Sequence, residues 1–311
     1  MNKSMHHPHR RLFSRRRMKE WLLTGLRVLF IVCICYIILD PLLTKLSMSF
    51  MDKSDVYDSM VKLIPKHFTL VNYVDAYQYA KYGQVLLDTV ILCALSALSQ
   101  TVACTLVGYG FARFQFKGRN LLFTCVVFFM LIPTQILITP QYLNLMKAGL
   151  VGSYAPFLLM GFTATAPRCG LYIFLARQFF RGLPKEIDEA AMIDGAGSFR
   201  VFTRIMLQSA IPMMVTIALF AFVWQWGDNT YTSLFHSGLK VLSNTISALG
   251  YNVQQSMNRT GFQYVSMMDY DAYFAVIYAT LIIMTIAPLV LLYIFAQKRF
   301  IESIENAGIV G

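Results

Sequence analysis

Residues 177–212 read RQFFRGLPKEIDEAAMIDGAGSFRVFTRIMLQSAIP, and this stretch decides what kind of molecule the chain is. Gly182-Leu183-Pro184 opens a helix, with Pro184 at the first helical position. Glu186, Asp188 and Glu189 fall in the first turns, where the helix dipole favours acids. The helix EIDEAAMID is short and stops at Gly195, a residue that takes positive φ at little cost. Gly197 and Ser198 restart the chain, with Ser198 as the N-cap. Phe199, Phe202, Ile205 and Met206 then recur at helical spacing and make an apolar stripe. The stretch therefore predicts a short helix, a glycine turn and a second, amphipathic helix. Ala190 and Ala191, midway along the first helix, are small enough to let it dock closely into a groove.

The flanks are apolar, and so is most of the rest. The chain has 311 residues, 57 % of them hydrophobic and 14 % charged, with a mean hydropathy of +0.54. A soluble domain carries about 25 % charged residues, so a water-facing globular enzyme is excluded. Disorder needs low hydrophobicity and is excluded too. A bilayer core of about 30 Å needs roughly 20 apolar residues per helix. Six stretches qualify: about Trp21–Leu43, Val85–Phe111, Leu121–Pro140, Tyr154–Phe180, Ile211–Phe235 and Tyr273–Phe295. The predicted fold is an all-α polytopic membrane protein with six transmembrane helices, the opening stretch lying between the fourth and the fifth. Residues 1–20 form a basic tail and 21–311 a single transmembrane domain, with its polar loop at about 181–210 and outer loops at about 44–84 and 236–272.

Orientation follows from the Lys and Arg of the connections. The tail carries seven, the second-to-third turn three, the fourth-to-fifth connection five and the C-terminus two. The other three connections carry five, one and two, so the sides total 17 against 8. Both termini are predicted cytoplasmic, and the net charge of +11 is mainly this topological asymmetry. Topogenic and lipid contacts account for the basic tail, and nothing in it calls for nucleic acid. His6, His7 and His9 there read as tail residues and not as a metal site. The first basic-plus-apolar segment lacks an A-x-A cleavage site and reads as an uncleaved span. The six cysteines (33, 35, 93, 104, 125 and 169) all fall in spans and behave as small hydrophobes, with no disulfide framework implied.

Glu189-Ala190-Ala191, three residues, Gly195, then Ile205-x-Leu207 and Pro212 resembles the EAA loop of ABC-importer permeases. The longer string EAAMIDGAGSFRVFTRIML resembles the carbohydrate-uptake branch, the partner permease of maltose-type, binding-protein-dependent importers. Gln208 stands where that pattern has a proline. Phe68-Thr69-Leu70-Val71-Asn72-Tyr73, Tyr109–Phe114 with Phe116–Arg119, Ile132-Pro133 with Pro140-Gln141-Tyr142, and Gln297–Phe300 resemble further family segments. The likeness runs over roughly residues 25–311. Trp226-Gly227-Asp228 departs from the family's Trp-Asn-Asp, and Asp88-Thr89 from its Asn-Ser.

The resemblance implies a bacterial inner-membrane permease subunit, multi-pass, that forms half of a sugar pathway. It implies a coupling helix seated in a cleft of a separate ATPase, with Glu189, Ala190, Ala191, Asp194 and Gly195 as the contact. The partners it implies are an ATPase dimer that holds ATP and Mg, a second homologous permease, an extracellular solute-binding protein and membrane lipid. This chain has no G-x-x-x-x-G-K-[ST] loop, so it is not the ATPase; the resemblance implies a transport subunit and no enzyme. For the substrate path the residues themselves offer Arg168, an ionisable group inside a span. They also offer Trp224, Trp226, Asp228 and Asn229, since aromatic faces stack on sugar rings and carboxylates accept hydroxyls. An interfacial aromatic belt accounts for the same tryptophans. A secondary transporter, a permease for a non-sugar solute and an intramembrane enzyme are the rivals. The first should show matching repeats and the last a catalytic pair at membrane depth; neither pattern occurs.

Overall fold

A computed structural model describes the backbone of residues 15–61, 63–260 and 267–308, and the side chains of 19–61, 63–255 and 268–297. Residues 1–18, with most of the basic tail and its histidines, and Lys298 and Arg299 lie outside those described side chains. Among the described residues there is no strand, only an isolated antiparallel bridge between Met51 and Phe68.

Helix α3 (Tyr82–Arg113) is the axis of the molecule. Around it pack α6 (Ala155–Phe162), α7 (Cys169–Gly182) and α11 (Ile211–Gly227). The α3–α7 approach is close because Gly108 has no side chain. A Cβ there would run into the Ala176 Cβ and lie 2.9 Å from the Arg177 backbone nitrogen. The main core gathers Tyr172, Phe180, Met206, Ile217 and Phe235, all fully buried. At the Arg113 end, the loop end, α3 meets the 183–210 segment. At the Tyr82 end, the far end, α2 (Val71–Ala80) and α13 (Leu242–Thr260) pack on α14 (Met267–Gly308). Their core is Met51, Ala76, Leu249, Val253 and Ile277.

The 44–84 connection is thus folded. Asn72 donates to the Ser49 and Met51 carbonyls at 3.1 and 2.8 Å. The buried Asp55 carboxylate accepts from the backbone N–H groups of Lys66 and His67 at 2.9 and 2.7 Å, and from His67 Nδ1 at 2.7 Å. Burial alone would push the Asp55 carboxyl up, but the His67 and Lys66 hydrogen bonds outweigh it and hold the carboxyl below the usual carboxylate range. The 236–272 connection likewise contains α13 and is no plain spacer.

Not every one of the six predicted spans is a single straight helix. Among the described residues three helices are long and apolar enough to cross a bilayer: Lys19–Ser49, Tyr82–Arg113 and Met268–Gln297. Two more spans result only if each bent pair counts as one. In the third predicted span, α4 (Arg119–Phe129) and α5 (Thr134–Lys147) meet at 103°. Pro133 supplies no N–H at that break and disfavours a helical residue before it. The entry to the fifth bends by 74° at Ala210, before Pro212. The predicted fourth span, Tyr154–Phe180, is two short helices, α6 and α7. Ala164 (φ 55°) and Arg168 (φ 67°), both left-handed and flanking Pro167, separate them. Helix α1 (Arg15–Ser49) is continuous, and its Trp21–Leu39 stretch is exposed on all sides within this chain. The cysteines divide: Cys93, Cys104 and Cys169 are buried, while Cys33, Cys35 and Cys125 face outward.

Candidate functional site

The loop end is built as its sequence suggests, with shifts of detail. Helix α8 spans Glu186–Ile193, two residues after Pro184, with Glu186, Asp188 and Glu189 in its first turn. Gly195 takes φ +81°. The Ala196 N–H reaches the Ala191 carbonyl (3.0 Å) and the Gly195 N–H that of Met192 (3.0 Å), a Schellman cap. Gly197, not Ser198, is the N-cap of α9 (Ser198–Val201), with no side-chain capping bond. A π-helical turn (Phe202–Met206) and α10 (Leu207–Ser209) then lead into α11. Val201 and Met206 are fully buried and Phe202 and Ile205 pack on the main core, while Phe199, the first residue of the predicted stripe, faces outward.

The outward face carries Glu189, Ala190, Asp194 and Gly195, all exposed. Around them stand Met192, Ile193 and Phe199, exposed by 51 %, 86 % and 78 %, an apolar rim that water alone would not favour. Ala191, expected on this face, is turned inward and is part of the main core. Successive helical residues point about 100° apart, so Ala190 and Ala191 cannot share one face.

Arg113, which the sequence offers as a topological charge and as part of the Tyr109–Phe114 segment, holds the loop in place. It ends α3, donates to the carbonyls of Leu183 (3.1 Å) and Pro184 (3.3 Å), and pairs with Asp188 at 3.0 Å. Both side chains of that pair are nearly buried. Burial pushes the Asp188 carboxyl above the usual range, against the pull of Arg113. The available signal was an Arg at a helix C-terminus facing an acid-rich helix start.

The second region lies between the start of α7 and the end of α11. A cavity of about 570 Å³ is lined by Arg168, Tyr172, Trp224, Asp228, Asn229 and Thr230, with Phe220 and Val223 among its apolar walls. Its depth is fixed by α3: Cys169 Sγ lies 3.8 Å from Gln100 Oε1, and its carbonyl 3.7 Å from Cys104 Sγ. Arg168 is therefore level with the middle part of α3. Its guanidinium lies 3.5 Å from the Trp224 ring centroid.

Four of the five predicted path residues meet here. Trp226 does not: it is 4 % exposed, stacks on Phe222, and donates its indole N–H to the Thr285 carbonyl at 3.3 Å. Asp228 lines the cavity, but its oxygens are engaged. They accept from the N–H groups of Tyr231 (3.1 Å) and Thr232 (2.8 Å) and from the Thr232 hydroxyl (2.9 Å), capping α12 (Thr230–Phe235). Tyr172 was missed. It stands one helical turn after Arg168, fully buried, its hydroxyl with no hydrogen-bond partner among the described residues. The described residues contain no group of three metal-ligating side chains.

Comparison with known proteins agrees with this architecture. Residues 104–305 match the family described as binding-protein-dependent transport system inner membrane component. The diacetylchitobiose uptake system permease protein NgcG of Streptomyces coelicolor is 31 % identical over 270 residues, covering 87 % of this chain and 83 % of that one. The arabinooligosaccharides transport system permease protein AraQ of Halalkalibacterium halodurans is 28 % identical, covering 94 % and 97 %. A solved bacterial ABC transporter involved in import of the acidic polysaccharide alginate shares the fold, with a TM-score of 0.75 over 93 % of this chain and 99 % of that one at 19 % identity. The chain belongs to the family of binding-protein-dependent transport system inner membrane components.

Proposed function

We propose that the chain is the permease subunit of an ABC importer for a sugar or oligosaccharide. It forms half of the pathway and couples to a separate ATPase through α8. The observation that carries this reading is the α8 face: an exposed Glu189 inside an apolar rim, on a helix fixed to α3 by Arg113. A protruding helix with small residues and an apolar rim suits a groove on a partner. The relatives support the cargo class, being named for diacetylchitobiose, for arabinooligosaccharides and for melibiose, raffinose and stachyose. In this reading α6 and α7 together make the fourth span, the loop end and both termini are cytoplasmic, and a second permease completes the path. A solute-binding protein docks at the far end. ATP and Mg reside on the ATPase, whose closure rocks the permeases between inward- and outward-facing states. Glu189 meets a basic group of the ATPase cleft, and the cavity at Arg168 and Trp224 lies on the path.

The test is the assembled transporter in proteoliposomes. Glu189→Ala is expected to leave assembly intact and to lose both uptake and substrate-stimulated ATP hydrolysis; normal values for both would sink the coupling role. A second reading, a saccharide bearing a carboxylate, is favoured by Arg168, which has no ion-pair partner among the described residues. It predicts that Arg168→Ala lowers uptake of the acidic sugar at least tenfold while sparing a neutral one.

A further inference from the structure

At the loop end, beside the α8 face, three arginines converge without an ion-pair partner among the described residues. Arg119 begins α4; Arg177 and Arg181 lie one turn apart near the end of α7. With Asn120, Phe123 and Thr124 they line a cavity of about 410 Å³ that contains no acidic residue. The neighbouring cavity of about 510 Å³ shares the three arginines and adds Lys185, Asp188 and Glu189; Asp188 is spent on Arg113, and Glu189 forms no ion pair with any of the three. Among the described residues no carboxylate lies within ion-pairing distance of Arg119, Arg177 or Arg181. Arg177 is packed into place: its guanidinium lies 3.7 Å from the Phe123 ring centroid, and its Nε is buried with no hydrogen-bond partner. The start of α4, capped by Gly118 with no side-chain bond, adds the positive end of a helix dipole.

Like charges held together in a partly buried site need an anion to offset their repulsion. What lies next to the cluster indicates which anion. Helix α4 buries none of its residues in this chain, and Leu121 and Leu122 (70 % and 51 % exposed) follow directly on Arg119. Phosphate-binding groups bordered by an exposed aliphatic wall fit a headgroup with its acyl chains, not a small anion in water.

We propose that Arg119, Arg177 and Arg181 form a binding site for the phosphate of an anionic phospholipid, its acyl chains lying along α4. The arginines hold the phosphate oxygens by charge-assisted hydrogen bonds, and the lipid is a fixed constituent of the loop end. The chemistry is that of any phosphate monoanion, so free phosphate is the competing source.

The test is native mass spectrometry of the assembled transporter, released from nanodiscs of equal phosphatidylglycerol and phosphatidylcholine. Wild type is expected to retain phosphatidylglycerol selectively. Arg119→Gln/Arg181→Gln, which leaves the packed Arg177 in place, should lower that preference roughly 30-fold, from the loss of two surface cations. Arg119→Lys/Arg181→Lys should keep most of it, which separates lost charge from lost folding. Equal retention of both lipids by wild type, or unchanged selectivity in the Gln pair, overturns the proposal. So does loss of the ATPase or the second permease from the Gln pair with lipid retention intact, which would assign the arginines to a protein partner. Displacement of the lipid by excess inorganic phosphate would assign the site to the free anion.

Discussion

Gly195 sits at φ +81° with nothing within 4 Å of where a Cβ would go, so a substitution there meets backbone strain and no clash. Gly195→Ala should cost about 1 kcal/mol, and Gly195→Asn less, because Asn tolerates the left-handed region. Substrate-stimulated ATP hydrolysis should rank glycine, asparagine, alanine, valine in falling order; a flat series would mean that the turn does not shape the α8 face. Arg113 and Asp188 predict a coupling. Arg113→Ala alone leaves a nearly buried carboxylate without its cation, and adding Asp188→Asn should recover part of the loss. The interaction is expected at about 0.5–3 kcal/mol from thermal unfolding of the two single variants and the double. At this scale the sequence was legible where one residue type forces one conformation, as at Gly195. It was less legible where neighbours on a helix take opposite faces. Trp224 and Trp226 differ by about 200° around the axis, so one lines the cavity and the other donates into the core. Both read equally well as sugar-stacking rings until the core side is known.

Helices that approach through glycine give their own prediction. Gly108→Val would force α3 and α7 apart at Ala176 and should cost about 1–3 kcal/mol as overpacking, read as a lower unfolding temperature of the assembled complex. The far-end loop adds a pH dependence. The folded Asp55 carboxyl lies below its ordinary value, so its stabilisation is complete above about pH 4, the unfolded value. It is lost as pH falls through the lower folded value. Asp55→Asn should flatten that acid limb and lower stability at neutral pH, as followed by denaturation of the complex between pH 2 and 7. The apolar runs made the helices legible and hid their breaks. A run of twenty apolar residues has the same composition whether it is straight, bent by 103° at Pro133 or opened at Pro167. Tertiary packing, not local composition, decides among those outcomes. The acid-rich α8 and its glycine stop depend on local rules alone, and there the reading holds to within two residues.

Across the whole molecule, the exposed first half of α1 sets it apart from the packed helices. Its Trp21–Leu39 stretch touches little of its own chain, so lipid or a second permease covers it. Cys33 and Cys35 report which: in the isolated chain both should react with a membrane-permeant maleimide, while Cys93, Cys104 and Cys169 stay unreactive. Assembly with a second permease should slow Cys33 or Cys35; unchanged labelling would leave α1 to the lipid. Inside the bundle, α3 runs from the far end to the loop end. The Gly108 contact and the Arg113 clamp prevent α7 and the loop from sliding along it. Its 32 residues span about 48 Å. A push of about 5 Å at the loop end would tilt a rod of that length by roughly 6°, and its middle, near Gln100, would travel about 3 Å. That stroke is close to the 3.5 Å between Arg168 and the Trp224 ring, one on α7's leading edge and the other on α11. On the proposed coupling role of α8, a push at the loop would reach that stacked pair through α3 and the two helices packed on it.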